Sequence, residues 1–325
     1  DENYYWLWSK KLDFSYFDHP PMIAYMIKLT TLVSDEPAFV RLSAALLVSG
    51  TAYFLYLLAK KIFDEKSAIY TFYIFLSSVI VIAASTLTTP DIPLMFFTSL
   101  LLYSAYVYLE ENNKSYALLT GFAAGAMILS KYPGILIIFT LIVYMIMYKR
   151  EVFKDKYLYF AMLIALLVFS PVLYWNIQND FISFTFQLHH GIAEEKVFNP
   201  KTFFNFLGAQ LVLFHPFYLL PLLYFLVRDK NRFEQKKVYL LLPFLFVIVF
   251  FSYFAAFKHA NAQWAGTAYL SASILLAYYF SKYEIKKPLI AGIILSAIVI
   301  VLIKTPVGIN YVKPIQKLFS RMGKI

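Results

Sequence analysis

Ten long stretches without a charged residue dominate the chain and limit the folds that it can adopt. The hydrocarbon core of a bilayer is ~30 Å thick, so a helix needs about 20 apolar residues to cross it. Hydrophobic residues make up 61% of the 325 positions and charged residues only 15%, whereas soluble domains carry roughly a quarter charged residues. We therefore predict an all-α polytopic membrane protein with about ten spans. The stretches are 42–59, 67–90, 92–109, 115–130, 132–148, 157–179, 202–227, 238–257, 267–281 and 288–303.

The loops between these stretches alternate between strongly and weakly basic. One set holds 16 of the 29 Lys and Arg residues, and the other holds four lysines. Excess positive charge beside membrane spans marks the cytoplasmic side, so we expect the first set to be cytoplasmic and the second external. The net charge of +10 thus reports orientation, and we expect no nucleic-acid partner. The basic set is 60–66, 110–116, 149–156, 228–237 and 281–287, and the external set is 85–91, 131–134, 176–201 and 258–266.

The first 35 residues mix aromatic and charged side chains without forming a span. Trp and Tyr favour the membrane–water boundary, so this pattern predicts interfacial helices in the first external loop. The chain begins with Asp1 and shows no cleavable signal pattern, and we expect one more span upstream. It contains no cysteine, which excludes disulfides and thiol chemistry in this chain.

Three external carboxylates, Asp1, Glu2 and Asp91, are candidates for catalysis. Carboxylates at membrane depth are costly and usually functional, and Asp91 stands between Pro90 and Ile92 where one span gives way to the next. A carboxylate in a partly dehydrated pocket can accept a proton from a substrate hydroxyl. The alternative for Asp1 and Glu2 is that they are solvated loop residues.

The basic residues and histidines on the predicted external side can each be interpreted in two ways. Arg41 and Lys131 could hold a lipid phosphate, or could extend to the interface only to keep their charge in water. Asp18, His19, His189 and His190 could supply ligands to a divalent cation such as Mg, Mn or Zn, or the histidines could be solvated loop residues. The small residues of 121–126 allow either close helix packing or entry of a chain-like ligand.

Seven motifs, taken in order from Asp1 to about Ser271, resemble one family. The resemblance is to the bacterial relatives of protein O-mannosyltransferases, membrane glycosyltransferases of the GT-C type that include the aminoarabinose transferases. The motifs are DENYYWLWS, YFDHPPMIAY, FVRLSAAL, TTPDIPLMFF, LSKYPG, WNIQNDFISFTFQLHHG and ANAQWAGTAYLS.

This resemblance implies a GT-C bundle with its active site at the outer membrane boundary. It also implies inverting transfer of a hexosyl or pentosyl group from a polyprenyl-phosphate donor to a lipid, glycan or protein acceptor. The expected location is the inner (plasma) membrane, with the site facing the periplasm or exterior. We assign catalysis to Asp1, Glu2 and Asp91, substrate or phosphate binding to Arg41, Lys131, Lys258, His19, Asn261 and Trp264, and a possible metal to Asp18 and His190.

One loop departs from the family pattern. Relatives often read Asn-Trp-Pro where this chain has Asn261-Ala262-Gln263-Trp264, which puts the role of that loop in question.

We expect residues 1–303 to form one transmembrane domain, with 1–35 interfacial and 176–201 a long external loop, followed by a short basic tail at 304–325. The rival function is a lipid or small-molecule transporter that uses the acids and histidines as a proton relay.

Overall fold

The computed structural model describes residues 2–85, 87–192, 197–258 and 260–304, and for 189–192 and 303–304 it describes the backbone alone. These ranges contain helices and no strand, which confirms the all-α prediction. Three short 3-10 helices cover Tyr132–Gly134, Arg150–Lys154 and Ala262–Ala265. The α-helices are α1 (Glu2–Lys10), α2 (Met22–Thr30), α3 (Pro37–Ile62), α4 (Glu65–Leu76), α5 (Val79–Ala84), α6 (Asp91–Glu111), α7 (Ser115–Ser130), α8 (Ile135–Tyr148), α9 (Lys156–Gln178), α10 (Ile182–Ile192), α11 (Pro200–Leu213), α12 (Pro216–Arg228), α13 (Gln235–Phe257), α14 (Ala268–Lys282) and α15 (Lys287–Lys304).

Helix α6 lies at the centre of the bundle. It is apolar all around, and 89% of its most hydrophobic window is buried, because α3 and α7 pack against it. A helix without a polar face is one that the fold encloses. By contrast only 11% of the corresponding window of α9 is buried, so α9 lies at the periphery and offers its side chains to lipid. The burial of α6 fixes the position of Asp91, its first residue.

Within the part of the chain that the structure describes, four helices are long and apolar enough to cross a membrane by themselves: α3, α6, α9 and α13. A fifth span results if α11 and α12 are one broken helix, and α7, α8 and α15 are shorter apolar helices. The chain is a multi-pass membrane protein, as predicted from its hydropathy.

Two predicted spans are interrupted, which the apolar pattern alone does not indicate. The stretch 67–90 breaks between α4 and α5, where the hydroxyl of Ser77 donates to the carbonyl of Tyr73 and the backbone of Ser78 is extended. Such local hydroxyl-to-carbonyl bonds bend helices. The stretch 202–227 bends by 105° at His215, because the residue before a proline is disfavoured in the helical region.

Ion pairs link the loops at each end of the bundle. At the start of α7, Lys114 pairs with Asp155, and after its end Lys131 pairs with Asp91. The two sets of loops therefore lie at opposite ends of the helices, as their charge pattern predicts. We call the end that carries Asp91 the site face and the other the opposite face. The opposite face also holds the pairs Lys61–Glu111, Lys66–Glu284, Lys149–Glu110 and Lys237–Asp229.

The small residues of α7 serve helix packing. A Cβ atom built on Gly125 would lie 2.6 Å from the carbonyl oxygen of Ala165 and 2.7 Å from Cβ of Val168, both in α9. A Cβ atom on Gly121 would lie even closer to the backbone of Ala161, also in α9. Of the two roles open for 121–126, the structure supports close approach of α7 to α9.

Candidate active site

Two of the predicted site residues form a largely buried ion pair on the site face. Asp91 opens α6 after Pro90, and Lys131 follows the last residue of α7. The Lys131 Nζ atom donates to Asp91 Oδ1 at 2.7 Å, and the two side chains are 9% and 20% exposed. Because an ammonium group has three donors, Lys131 can hold Asp91 and still bind an oxygen of a substrate.

His19 lies next to this pair and is neutral at pH 7. Burial lowers the pKa of His19 to about 4, and the positive charge of Lys131 acts in the same direction. The carboxylates of Asp18 and Asp91 oppose the shift without cancelling it. Its Nδ1 atom is buried and has no hydrogen-bond partner among the described residues. His19 thus offers a substrate a hydrogen bond rather than a positive charge.

Asp18 is held in place from two directions. The Tyr4 hydroxyl of α1 donates to Asp18 Oδ1 at 3.1 Å, and the Gln187 amide of α10 donates to the Asp18 carbonyl at 2.7 Å. Burial, reinforced by the charges of Asp18 and Asp91, raises the pKa of Tyr5. Sequence reasoning assigned these tyrosines to interfacial anchoring and gave Gln187 no role. Their proximity to Asp18 depends on tertiary packing that no local signal encodes.

Helix α10 covers the site from within the stretch that was predicted to be a loop. Tyr132 is the residue after Lys131, and its hydroxyl is hydrogen-bonded to the hydroxyl of Ser183 in α10 at 2.6 Å. The rings of Phe17 and Phe186 pack with centroids 4.6 Å apart. The stretch 176–201, predicted to be a long external loop, is therefore partly helical, and α10 docks on both the Lys131 and the Asp18 sides of the site.

Arg41 and Glu2 form a second ion pair on the same face. Arg41 Nε lies 3.0 Å from Glu2 Oε1 and 3.3 Å from Oε2, with side-chain exposures of 55% and 13%. The pair lines a cleft of about 300 Å³ between α1 and the start of α3. The predicted catalytic acids thus have different partners, since Glu2 is held by Arg41 and Asp91 by Lys131. Asp1, the first choice for general base, lies outside the described residues.

The loop after α13 borders the start of α6. A Cβ on Gly266 would lie 3.0 Å from Met95 Cε, one turn after Asp91. The Trp264 ring packs against the core with its centroid 6.1 Å from that of Phe251, and its backbone N–H donates to the Asn261 carbonyl at 3.0 Å. Lys258 follows the last residue of α13, at the edge of this loop. The loop lies on the site face, and its predicted role in substrate binding stays a prediction.

The described residues do not test the predicted metal site at Asp18 and His190. Among them no three His, Cys, Asp or Glu side chains cluster in a way that could hold an ion. The Asp18 carboxylate instead accepts from Tyr4. The side chain of His190 lies outside the described residues, so the pairing of Asp18 with His190 stays a prediction.

Comparison with known proteins identifies relatives of this chain. Residues 18–175 match the family described as dolichyl-phosphate-mannose-protein mannosyltransferase. Over 286 residues the chain is 27% identical to the lipid A galacturonosyltransferase RgtD of Rhizobium johnstonii, which covers 86% of this chain and 59% of RgtD. The chain therefore spans less than two thirds of that relative.

Solved structures share the fold. The structure of ArnT from Cupriavidus metallidurans bound to undecaprenyl phosphate superposes with a TM-score of 0.70 at 18% identity, over 91% of this chain and 57% of ArnT. The apo structure of the oligosaccharyltransferase of Archaeoglobus fulgidus gives a TM-score of 0.54 at 14% identity, over 95% of this chain and 51% of that protein. The motifs, the family match over 18–175 and the shared GT-C fold together make this chain similar to the protein O-mannosyltransferase-like membrane glycosyltransferases.

Proposed function

We propose that this chain carries the membrane domain of an inverting glycosyltransferase that moves a sugar from a polyprenyl-phosphate donor to an acceptor on the external face. The carrier is proposed by analogy with ArnT, whose structure was solved with undecaprenyl phosphate. A hexosyl or pentosyl group is the proposed cargo, since the relative RgtD is named for galacturonosyl transfer to lipid A. A lipid, glycan or protein hydroxyl is the proposed acceptor.

The Lys131–Asp91 ion pair is the observation that carries this proposal. It combines a cation and a carboxylate at 2.7 Å at the start of a largely enclosed helix, and the two side chains are only 9% and 20% exposed, so little water competes for them. Transfer from a sugar phosphate needs both charges, because negative charge develops on the departing phosphate and a proton leaves the acceptor. Preorganised charges at such positions are the largest source of catalysis in many enzymes.

The proposed reaction uses these residues in one displacement. The acceptor oxygen forms a bond to the anomeric carbon as the bond from that carbon to the phosphate oxygen breaks, which inverts the configuration. Polyprenyl phosphate leaves as a monoester, and the ammonium of Lys131 stabilises its charge. The acceptor proton passes to a carboxylate, for which Asp1 and Asp91 are the candidates.

His19 and Asp18 have supporting roles in this scheme. The neutral imidazole of His19 can donate or accept one hydrogen bond to a phosphate oxygen or sugar hydroxyl without adding charge. Asp18, held by Tyr4 and Gln187, contributes to the negative potential that keeps Lys131 oriented. The loop with Lys258, Asn261 and Trp264 would close the site on the α6 side.

Transfer from a radiolabelled polyprenyl-phosphate sugar by the purified chain in lipid nanodiscs tests the proposal. We expect product from wild type and at least a 100-fold slower rate from Asp91→Asn, which keeps the shape of the side chain and loses its charge. Asp155→Asn, on the opposite face, is the matched control and should retain the wild-type rate. Proton-coupled solute flux without transfer would instead establish the transporter alternative.

A further inference from the structure

Helix α10 connects two parts of the candidate site that lie far apart in the sequence. One part is the Asp91–Lys131 ion pair, and the other is the Asp18–His19 segment between α1 and α2. These parts adjoin, because the charges of Lys131 and Asp91 act on the pKa of His19 and because α2 packs on α6 and α7. Residues 11–21 contain no helix, so this segment lacks the backbone hydrogen bonds of a helix. Its position therefore depends on contacts from other elements.

The first turn of α10 is bonded to the residue after Lys131. The hydroxyls of Ser183 and Tyr132 share a hydrogen bond of 2.6 Å, and Ser183 is fully buried. The Phe184 ring meets the Tyr132 ring edge to face, with centroids 5.5 Å apart. Tyr132 opens the 3-10 helix in which the Gly134 N–H donates to the Lys131 carbonyl at 3.0 Å. A shift of Tyr132 therefore moves the backbone that carries the Lys131 ammonium group.

The next turn of α10 is bonded to the other part of the site. The Gln187 side-chain amide donates to the Asp18 carbonyl at 2.7 Å. Ser183 and Gln187 are four residues apart and therefore lie on one face of the helix. Thr185, between them, lies on the opposite face and is exposed. One face of a short helix thus contacts both parts of the site.

The turn that leads into α10 is held against its own conformational preference. Asp180 and Phe181 are adjacent and have φ angles of 51° and 55°, in the left-handed region that residues other than glycine disfavour. Such strain persists only where the surrounding structure imposes it, and it is concentrated at functional sites. The hydrogen bonds of Ser183 and Gln187 impose it here, together with the bond from the Phe181 N–H to the Asn176 carbonyl at 2.7 Å.

We propose that α10 sets the distance between the Lys131 ammonium group and the His19 imidazole during transfer. Ser183 and Tyr132 are the positioning residues for Lys131. Gln187 is the positioning residue for the segment that carries His19. This inference rests on the proposed glycosyltransferase function, in which Lys131 stabilises the departing phosphate while His19 forms a hydrogen bond to that phosphate or to the sugar. Both contacts require correct spacing, and a misplacement of about 1 Å can slow a reaction about 100-fold.

Kinetics per binding site distinguish positioning from a purely structural role. Radiolabelled undecaprenyl phosphate counts the donor sites in nanodiscs, and transfer is followed from a polyprenyl-phosphate sugar to lipid A as the acceptor probe. Tyr132→Phe, Ser183→Ala and Gln187→Leu should each lower kcat per site about 10-fold and leave donor KM within about twofold, because spacing matters in the transition state rather than in binding of the carrier. A smaller number of sites with unchanged kcat per site would overturn the proposal.

Two comparisons within the chain sharpen this test. Tyr132→Phe and Ser183→Ala remove the same hydrogen bond, so their double variant should be about as slow as the slower single variant. The double variant Tyr132→Phe/Gln187→Leu affects both parts of the site and should be slower than either single variant. Thr185→Ala, on the outer face of α10, is the matched control and should keep the wild-type kcat. A loss in Thr185→Ala as large as that in Gln187→Leu would contradict the assignment.

Hydrogen exchange tests the contacts of α10 without any transfer reaction. The Tyr16 amide, which donates to the His19 carbonyl at 3.2 Å, reports on one part of the site, and the Gly134 amide of the 3-10 helix reports on the other. Gln187→Leu should speed exchange of the first amide about 5-fold or more, and Ser183→Ala should do so for the second. If wild type transfers no sugar, the proposed function fails, and this pattern alone decides whether α10 holds both parts. Unchanged exchange at both amides would show that it holds neither.

Discussion

At the residue scale, the two ion pairs of the site face differ in how strongly the protein depends on them. Lys131 is 9% exposed, and Arg41 is 55% exposed. A buried charge needs its partner because it cannot recover its hydration, whereas an exposed one can. The Asp91–Lys131 pair therefore contributes to folding as well as to the proposed chemistry, while Arg41 can be exchanged at little cost to the fold.

Replacing Lys131 by methionine tests this dependence. The change leaves the Asp91 carboxylate without its ammonium partner, which should lower the free energy of unfolding by about 3 kcal/mol. Thermal unfolding in detergent measures it. The double variant Asp91→Asn/Lys131→Met should be more stable than the single one, although inactive, because no uncompensated charge remains.

An exposed pair provides the control for Lys131→Met. Lys61 and Glu111 are 33% and 42% exposed on the opposite face, so Lys61→Met should cost about 0–1 kcal/mol. Equal losses from the Lys61 and Lys131 variants would contradict the special status of the buried pair.

His19 should make the protein less stable in acid. Its pKa is about 4 in the folded chain and about 6.5 when unfolded. Between these values the unfolded chain binds the extra proton, so stability falls as pH drops from about 6.5 to 4 and is fully present above that range. His19→Gln should reduce this loss by about 2–3 kcal/mol, as measured by denaturant unfolding at pH 7 and pH 4.5. An imidazole that titrates near pH 6.5 in folded protein would refute the expectation.

At the scale of elements, hydropathy predicts which segments are helical but not where they break or dock. The apolar runs 67–90 and 202–227 contain Ser77 and His215-Pro216, which are local breaking signals, yet hydropathy is continuous through both. Docking of α10 depends on the Gln187 amide reaching Asp18, a contact across 169 positions. Likewise the sequence identifies Asp91 and Lys131 as candidates without indicating that they are partners, since only the packing of α6 on α7 brings them together.

The contact between α7 and α9 is an element-scale prediction with a control in the same chain. Gly125→Ala places a methyl group 2.6 Å from the Ala165 carbonyl oxygen, a backbone atom that cannot turn aside. We expect a loss of about 1–3 kcal/mol in stability, as for other overpacked sites. Gly208→Ala in α11 meets no atom within 4 Å and should be neutral or stabilise by up to about 1 kcal/mol. Thermal unfolding of both variants measures these changes in stability. Equal changes in the two variants would show that α7 and α9 are not in close contact.

At the scale of the whole molecule, the charge pattern predicts two faces, and the ion pairs at the ends of the helices agree with it. Lys114 meets Asp155 at one end of α7, and Lys131 meets Asp91 at the other. The charges of the loops also predict the orientation of the protein in the membrane, because the basic loops should stay in the cytoplasm. A site that faces the exterior would receive its acceptor there, so the direction determines which acceptors are reachable.

Single-cysteine labelling can measure that direction cleanly, because the chain has no cysteine of its own. Lys11→Cys lies on the site face and Lys154→Cys on the opposite face, and both positions are exposed and outside the apolar helices. In intact spheroplasts a membrane-impermeant maleimide should label Lys11→Cys, and it should reach Lys154→Cys only after lysis. The cysteine-free parent chain controls for background. Labelling of Lys154→Cys alone in intact spheroplasts would show that the protein has the opposite orientation. The acceptor would then have to be cytoplasmic.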